Sequence, residues 1–144
     1  MTVLPVDETC AAIVYKALDL KGFFPELTAY ELAKLFPHSA LELHDAQSPI
    51  LQQGDTSRDL YVVRSGEVAV SQSFGSAGAQ VSRLGPGDIF GEIALVKGGA
   101  RTATITAETD AQVFRLAFAD VQYLLKNNEA LGEHLEILVT ARLG

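Results

Sequence analysis

Two side chains suited to ligand binding lie nine positions apart in a glycine-rich stretch, residues 85–104 (GPGDIFGEIALVKGGARTAT). Glu92 can accept a hydrogen bond from a sugar hydroxyl, and Arg101 can donate paired N–H bonds to phosphate oxygens. Between them, residues 91–94 can form one helical turn whose first N–H groups lack intrahelical partners and can bind an anion. The stretch therefore predicts a site for a ligand that carries both a hydroxyl and a phosphate.

The chain from Ser39 to Leu116 consists of short apolar segments separated by turns. This pattern predicts short strands, and these strands would position Glu92 and Arg101. About eight such segments are present, for example 60–63, 67–71 and 111–116, and the last part of the glycine-rich stretch predicts a strand over 102–107. Strands of this length and spacing are typical of a jelly roll or barrel.

Helical patterns flank this strand region on both sides. Residues 7–20 predict a first helix, and Thr28 with Glu31 forms a capping box that predicts a second. After Leu116 the apolar spacing becomes helical again, with Asn127 or Asn128 as the cap of a last helix. We therefore predict one mainly β domain with N-terminal helices in 1–37, an eight-stranded β-roll (jelly roll) in 38–116 and C-terminal helices in 117–144.

The residue order of the glycine-rich stretch resembles the phosphate-binding cassette of cyclic nucleotide-binding domains. The matching segments are Phe-Gly-Glu-Ile-Ala-Leu at 90–95 and Ala-Arg-Thr-Ala-Thr at 100–104, and residues 53–66 resemble the early part of the family's roll. The family includes the sensors of protein kinase A regulatory subunits, cyclic-nucleotide-gated channels and catabolite activator proteins. The resemblance implies that the chain binds a 3′,5′-cyclic nucleotide through a cassette at residues 90–102.

The resemblance also assigns individual residues to the ligand. Those around phosphate and ribose are Gly91, Glu92, Ile93, Ala94 and Arg101, and those around the purine are Val70, Ser82, Leu84 and Thr102. The Thr102 hydroxyl is suited to accept from the exocyclic amine of guanine. Because one such hydrogen bond contributes only about 0.5–1.5 kcal/mol, cyclic AMP is the favoured ligand and cyclic GMP the alternative.

The last helix, residues 128–143, is expected to be the mobile output of the sensor. Leu131, Leu135 and Leu138 form one apolar face of this helix. Ile137 and Val139 add apolar surface beside that face. The surplus is suited to cover the purine when ligand is present and to pack elsewhere, or on a second chain, when it is absent. The effector would be a second copy of this chain or a separate protein. The alternative is a helix that is permanently docked.

Composition and charge narrow the function further. The net charge of −7 argues against nucleic-acid binding, which needs a basic surface. The sequence contains no apolar run long enough for a membrane span and no signal-peptide pattern at its start. With only one cysteine, Cys10, the composition favours a cytoplasmic protein.

The sequence lacks the residue patterns of two enzyme classes that compete with the sensor. A metalloenzyme of the cupin type needs clustered histidines, whereas the three present, His38, His44 and His134, are spread between strand and helix segments. A serine nucleophile would need a Gly-x-Ser-x-Gly elbow, which the sequence lacks. We therefore predict a binding module without a metal rather than an enzyme. A β-roll that serves as an interaction or structural domain without nucleotide is the alternative.

Overall fold

The computed structural model describes residues 1–73, 79–91 and 99–143. Nine strands and four α-helices lie in these residues, and eight of the strands fall between residues 38 and 116. The predicted mainly β fold with flanking helices is confirmed. The strands are β1 (Thr2–Leu4), β2 (Ala40–His44), β3 (Pro49–Leu51), β4 (Leu60–Ser65), β5 (Val68–Ser73), β6 (Ala79–Leu84), β7 (Ile89–Phe90), β8 (Thr104–Ala107) and β9 (Ala111–Leu116).

The N-terminal helices begin where capping side chains stand. Helix α1 (Glu8–Ala17) starts after Asp7, whose carboxylate accepts the Cys10 N–H at 2.8 Å. Helix α2 (Ala29–Leu35) starts after Thr28, whose hydroxyl oxygen accepts the Glu31 N–H at 3.2 Å, so the predicted cap is confirmed. The first helix was predicted to reach residue 20, which is wrong. Asp19 has a φ of +49°, outside helical geometry, and a short 3-10 helix follows at Leu20–Gly22.

The strands form two antiparallel sheets. One has the order β1-β2-β9-β4-β7 and the other the order β3-β8-β5-β6. Two expectations about the strands are corrected. The edge strand β1 was not predicted, and β8 begins at Thr104 rather than at residue 102. The second difference arises because the N–H of Arg101 binds the Asp55 carbonyl and its own carbonyl accepts from Gly54, which commits this backbone to a loop rather than to a sheet.

Two C-terminal helices complete the chain, α3 (Phe118–Asn127) and α4 (Glu129–Leu143). The Asn128 side chain accepts the Leu131 N–H at 3.1 Å, as the predicted cap requires. Helices from both ends of the chain pack on the outer face of the five-stranded sheet and form one core with it. Leu32 and Leu131 from the helices are buried in this core with Val62 from the sheet. No helix in the described part of the chain is long and apolar enough to cross a membrane.

A second core lies between the two sheets. Its buried residues come from both, for example Val63 and Val113 from one sheet and Val68 and Ile105 from the other. Two described residues of the candidate site stand beside strands of this roll, because Gly91 directly follows β7 and Arg101 lies three residues before β8.

Candidate functional site

Arg101 is buried, with 5% of its surface exposed, although arginine is rarely buried without partners. Its Nη1 donates to the Gly91 carbonyl at 3.0 Å, its Nη2 to the Asp59 carbonyl at 2.9 Å and its Nε to the Ser57 hydroxyl at 3.3 Å. These hydrogen bonds fix the direction of the planar guanidinium. They also place it at Gly91, the first residue of the predicted anion cradle.

The loop at residues 52–59, between β3 and β4, holds both the backbone and the side chain of Arg101. The Arg101 N–H donates to the Asp55 carbonyl at 2.6 Å, and the Gly54 N–H donates to the Arg101 carbonyl at 2.9 Å. The same loop contributes Ser57 and the Asp59 carbonyl to the guanidinium. The position of this arginine is therefore set by a loop more than forty residues earlier in the chain.

Gly91 is required by a close approach of polar groups. Its φ is +87°, in the left-handed region that L side chains rarely adopt. A Cβ atom at this position would lie 2.8 Å from the Asp59 carbonyl oxygen and 3.0 Å from Nη1 of Arg101. Glycine has no side chain that could obstruct an approaching anion. The structure adds that a side chain would also collide with the groups that hold Arg101.

The other predicted site residues differ in how far the structure places them. Glu92, Ile93 and Ala94 lie outside the described residues. Thr102 is exposed and follows Arg101 directly. The roles of all nine residues in ligand binding stay predictions.

The predicted purine wall is assembled by two neighbouring strands. Val70 on β5 lies directly opposite Ser82 on β6, and Leu84 follows two positions later on the same face of β6. Val70 and Leu84 are half-buried against the core between the sheets, whereas Ser82 is exposed. The structure therefore brings these three side chains together on one face of the two strands.

Asp59 is a site residue that the sequence did not reveal. Besides the carbonyl that binds Arg101, its carboxylate accepts the Phe118 N–H at 2.8 Å through Oδ1 and binds Nη1 of Arg115 at 3.3 Å through Oδ2. No local pattern marks this role, because the partners lie 42, 59 and 56 positions away.

A buried ion-pair cluster adjoins Asp59. The Glu42 carboxylate binds Nε of Arg115 at 2.9 Å and Nε2 of His44 at 2.9 Å, and both Glu42 and His44 are buried. Burial alone would raise the pKa of Glu42, but the hydrogen bonds from His44 and Arg115 outweigh it and hold that pKa below its usual value. Glu42 is therefore ionised at neutral pH.

The C-terminal helices dock on the N-terminal ones. Leu131 and Leu135 of α4 are buried in the shared helical core, and Nε2 of His134 donates to the Leu18 carbonyl at 2.9 Å. Ile137 is 70% exposed, and the side chain of Val139 lies outside the described residues. The first part of α4 therefore rests against the helices rather than against the strands of the predicted purine wall.

Each of the three histidines contacts a different partner within the protein. His38 contacts Asp120 at 2.7 Å, His44 contacts Glu42, and His134 contacts a backbone carbonyl. Within the described residues, no three His, Cys, Asp or Glu side chains are grouped closely enough to hold a metal ion.

Both the sequence and the fold are similar to those of known proteins. Residues 42–128 match the family model described as cyclic nucleotide-binding domain. Over 127 residues, covering 86% of the chain, the sequence is 32% identical to the Cyclic AMP receptor protein of Thermus thermophilus. Over 96 residues, covering 67% of the chain, it is 34% identical to a cAMP-dependent protein kinase type II regulatory subunit of Drosophila melanogaster.

The match spans only part of each relative, 59% of the bacterial protein and 25% of the kinase subunit. Among solved structures, a cyclic nucleotide-binding domain from Methylobacillus flagellatus superposes with a TM-score of 0.79. That comparison has 23% identity and covers 99% of this chain and 83% of that one, so it supports the fold alone.

Proposed function

Because the chain belongs to the family of cyclic nucleotide-binding domains, we propose that it is a non-enzymatic sensor that binds a 3′,5′-cyclic nucleotide at Arg101 and responds through its C-terminal helices. The observation that carries the proposal is the position of the Arg101 guanidinium, buried and hydrogen-bonded to the carbonyl of Gly91, where the predicted cradle begins. The bacterial relative named as a cyclic AMP receptor supports the same ligand class.

The phosphate of the ligand is proposed to bind the Arg101 guanidinium and the backbone N–H groups that follow Gly91. The charge of the chain as a whole is −7, so its overall field repels an anion. Binding must then come from local positive groups whose direction is fixed in advance, which lowers the entropic cost of ordering them. The carbonyl contacts of Arg101 with Gly91 and Asp59 provide that fixed direction.

Cyclic AMP is the proposed ligand, with cyclic GMP as the alternative. The wall of Val70, Ser82 and Leu84 offers mostly apolar surface, which accepts any purine and distinguishes little between bases. Discrimination then falls to Thr102, whose exposed side chain stands next to Arg101. Its single hydroxyl gives too small a contribution to make the site strongly selective for guanine.

The response is proposed to pass through α4. In this structure Leu131 and Leu135 are buried among the helices while Ile137 is exposed, so the helix has apolar surface left for a second position. In a ligand-bound arrangement that surface would cover the purine or bind a partner, either a second copy of the chain or a separate effector. Unchanged hydrogen exchange at residues 130–142 on addition of cyclic AMP would exclude this response.

Isothermal titration calorimetry of the purified chain with cyclic AMP and cyclic GMP tests the binding site. Arg101→Ala removes at least one charge-assisted hydrogen bond of about 1.5–3 kcal/mol, so affinity should fall roughly tenfold to more than a hundredfold. Arg83→Ala is the matched control, because it removes the same charge from an exposed side chain on the opposite face of β6 from Ser82. Its affinity should stay within about twofold of the parent.

Three outcomes of these titrations are informative. Binding that is insensitive to Arg101→Ala would refute the assignment of the site. An absence of heat with either nucleotide would support the alternative, a roll that acts as an interaction domain. Thr102→Ala should weaken cyclic GMP binding selectively, and an equal loss for both nucleotides would show that Thr102 does not read the base.

A further inference from the structure

We propose that Asp59 is a positioning residue that couples the Arg101 site to the start of α3. The inference rests on the proposed function, because it concerns how a nucleotide at Arg101 is sensed. Asp59 contacts both regions with different parts of one residue. Its main-chain carbonyl accepts from Nη2 of Arg101 at 2.9 Å, and its carboxylate accepts the Phe118 N–H at 2.8 Å.

The start of α3 depends on this carboxylate. The residue before the helix is Ala117, which has no side chain that can cap it. Asp59 therefore supplies from a distant loop the acceptor that a capping side chain normally gives to a first-turn N–H. Its negative charge also lies at the positive end of the helix dipole, where it is favourable.

A second contact joins the same loop to the same residue. The guanidinium of Arg58, next to Asp59 in sequence, lies 4.1 Å from the centre of the Phe118 ring. The backbone N–H of Phe118 thus contacts Asp59, and its ring contacts Arg58. A shift of the loop has to be transmitted to Phe118 or break these contacts.

A phosphate that draws the Arg101 guanidinium toward itself acts on the carbonyl of Asp59. Because the carbonyl and the carboxylate belong to one residue, the strength of the Phe118 cap then differs between the ligand-free and ligand-bound states. Such a difference is what a ligand needs in order to shift a helix. By linkage, the state of the helix start also affects nucleotide affinity.

The test removes the carboxylate and the N–H separately. Asp59→Ala deletes the carboxylate but keeps the carbonyl that holds Arg101. Phe118→Pro deletes the donor, and proline fits the first helical position, because Ala117 has φ −60° and ψ 135°, which a following proline accepts. Phe118→Ala is its matched control, since it also loses the ring but keeps the N–H.

The measurement is hydrogen exchange of the α3 amides, with and without cyclic AMP at a concentration that saturates each variant in calorimetry. In the parent chain and in Phe118→Ala, we expect the nucleotide to change protection by about fivefold or more, the lower range of allosteric coupling. In Asp59→Ala and Phe118→Pro, the change should fall below about twofold. The double variant should add nothing to either single one, because both remove the same link.

The outcomes separate the coupling from the binding. If Asp59 is only structural, Asp59→Ala changes exchange by the same factor in both states, and the nucleotide effect persists. That result, or equal nucleotide effects in Phe118→Pro and Phe118→Ala, overturns the coupling while leaving the proposed function intact. A parent chain that binds no cyclic nucleotide overturns both.

Discussion

Arg101 and Arg115 share Asp59 as a partner but contact different parts of it, the main-chain carbonyl and the carboxylate. Arg115 binds two carboxylates, Glu42 at 2.9 Å and Asp59 at 3.3 Å. The hydrogen bonds described for Arg101 end on two carbonyls and a hydroxyl. The carboxylates of Glu42 and Asp59 form ion pairs with Arg115 and stabilise the fold around it, whereas the backbone carbonyls of Gly91 and Asp59 fix the direction of the Arg101 guanidinium. The Arg115 cluster is therefore expected to serve stability, and the Arg101 site to serve the ligand.

The largest expected effect comes from removing the anion of the Arg115 cluster. Glu42→Ala leaves His44 and Arg115 without their shared buried carboxylate, and breaking such pairs costs about 3–5 kcal/mol. Because the Arg115 side chain is 27% exposed, we expect the lower end of this range, measured as the free energy of unfolding in urea. The control is Glu133→Ala, an exposed residue of α4, with a change of about 0.5 kcal/mol or less. A folded Glu42→Ala protein that loses cyclic AMP binding as Arg101→Ala does would refute the division between the two regions.

Gly91→Ala tests the Arg101 site without removing a polar group. The new Cβ would lie within 3.0 Å of the Asp59 carbonyl oxygen and of Nη1 of Arg101, in a left-handed backbone conformation. Strain of this kind costs about 1–3 kcal/mol, and the displaced guanidinium should lose cyclic AMP affinity by about tenfold or more. Gly85→Ala is the matched control, because no atom lies within 4 Å of its Cβ position and its φ is not positive. Equal affinities for the two variants in calorimetry would show that the geometry at Gly91 does not matter for binding.

The smallest and most specific expected effect is the pH dependence of the stability that Glu42 contributes to the fold. The folded-state pKa of Glu42 is lowered, so its ionised form stabilises the fold above its unfolded pKa of about 4.3. That contribution is lost as the pH falls through the folded pKa. Glu42→Gln should therefore be less stable than the parent by about 1–2 kcal/mol at pH 7, and the gap should narrow below about pH 4. Urea unfolding at several pH values measures it, with Glu133→Gln as the control. A gap that stays constant into the acid range would contradict the ionised cluster.

Local features of the chain could be predicted from its sequence. Thr28 and Asn128 cap helices because a short polar side chain can reach the nearby N–H groups, and this depends on only three or four residues. The pairing of Val70 with Ser82 was also predictable, since the two strands follow each other in the chain. In both cases the physical cause lies within a short stretch of sequence.

Features that depend on distant residues could not be predicted. β1 has only three residues, and its position depends on pairing with β2 some forty residues later. Residue 102 was expected in a strand because it is β-branched, but the loop contacts of the neighbouring Arg101 outweigh that preference. Asp59 shows no local signal at all, because each of its partners is brought to it by the fold.

The stacked rings of Tyr61 and Phe90 allow the interior of the roll to be followed by tyrosine fluorescence and near-ultraviolet circular dichroism. Their centres are 4.8 Å apart and their planes differ by 3°, and both rings are buried. Phe90 directly precedes Gly91 in the sequence. The sequence has no tryptophan, so tyrosine emission and near-ultraviolet circular dichroism are not masked. Burial, with the nearby charges of Glu42 and Asp59, raises the pKa of Tyr61 to about 12, so its phenol stays protonated across the working pH range. Since Tyr30 and Tyr123 are exposed, a soluble quencher can suppress their emission, which leaves Tyr61 inside the roll and the half-buried Tyr15 in the helical core as the sources of the remaining signal.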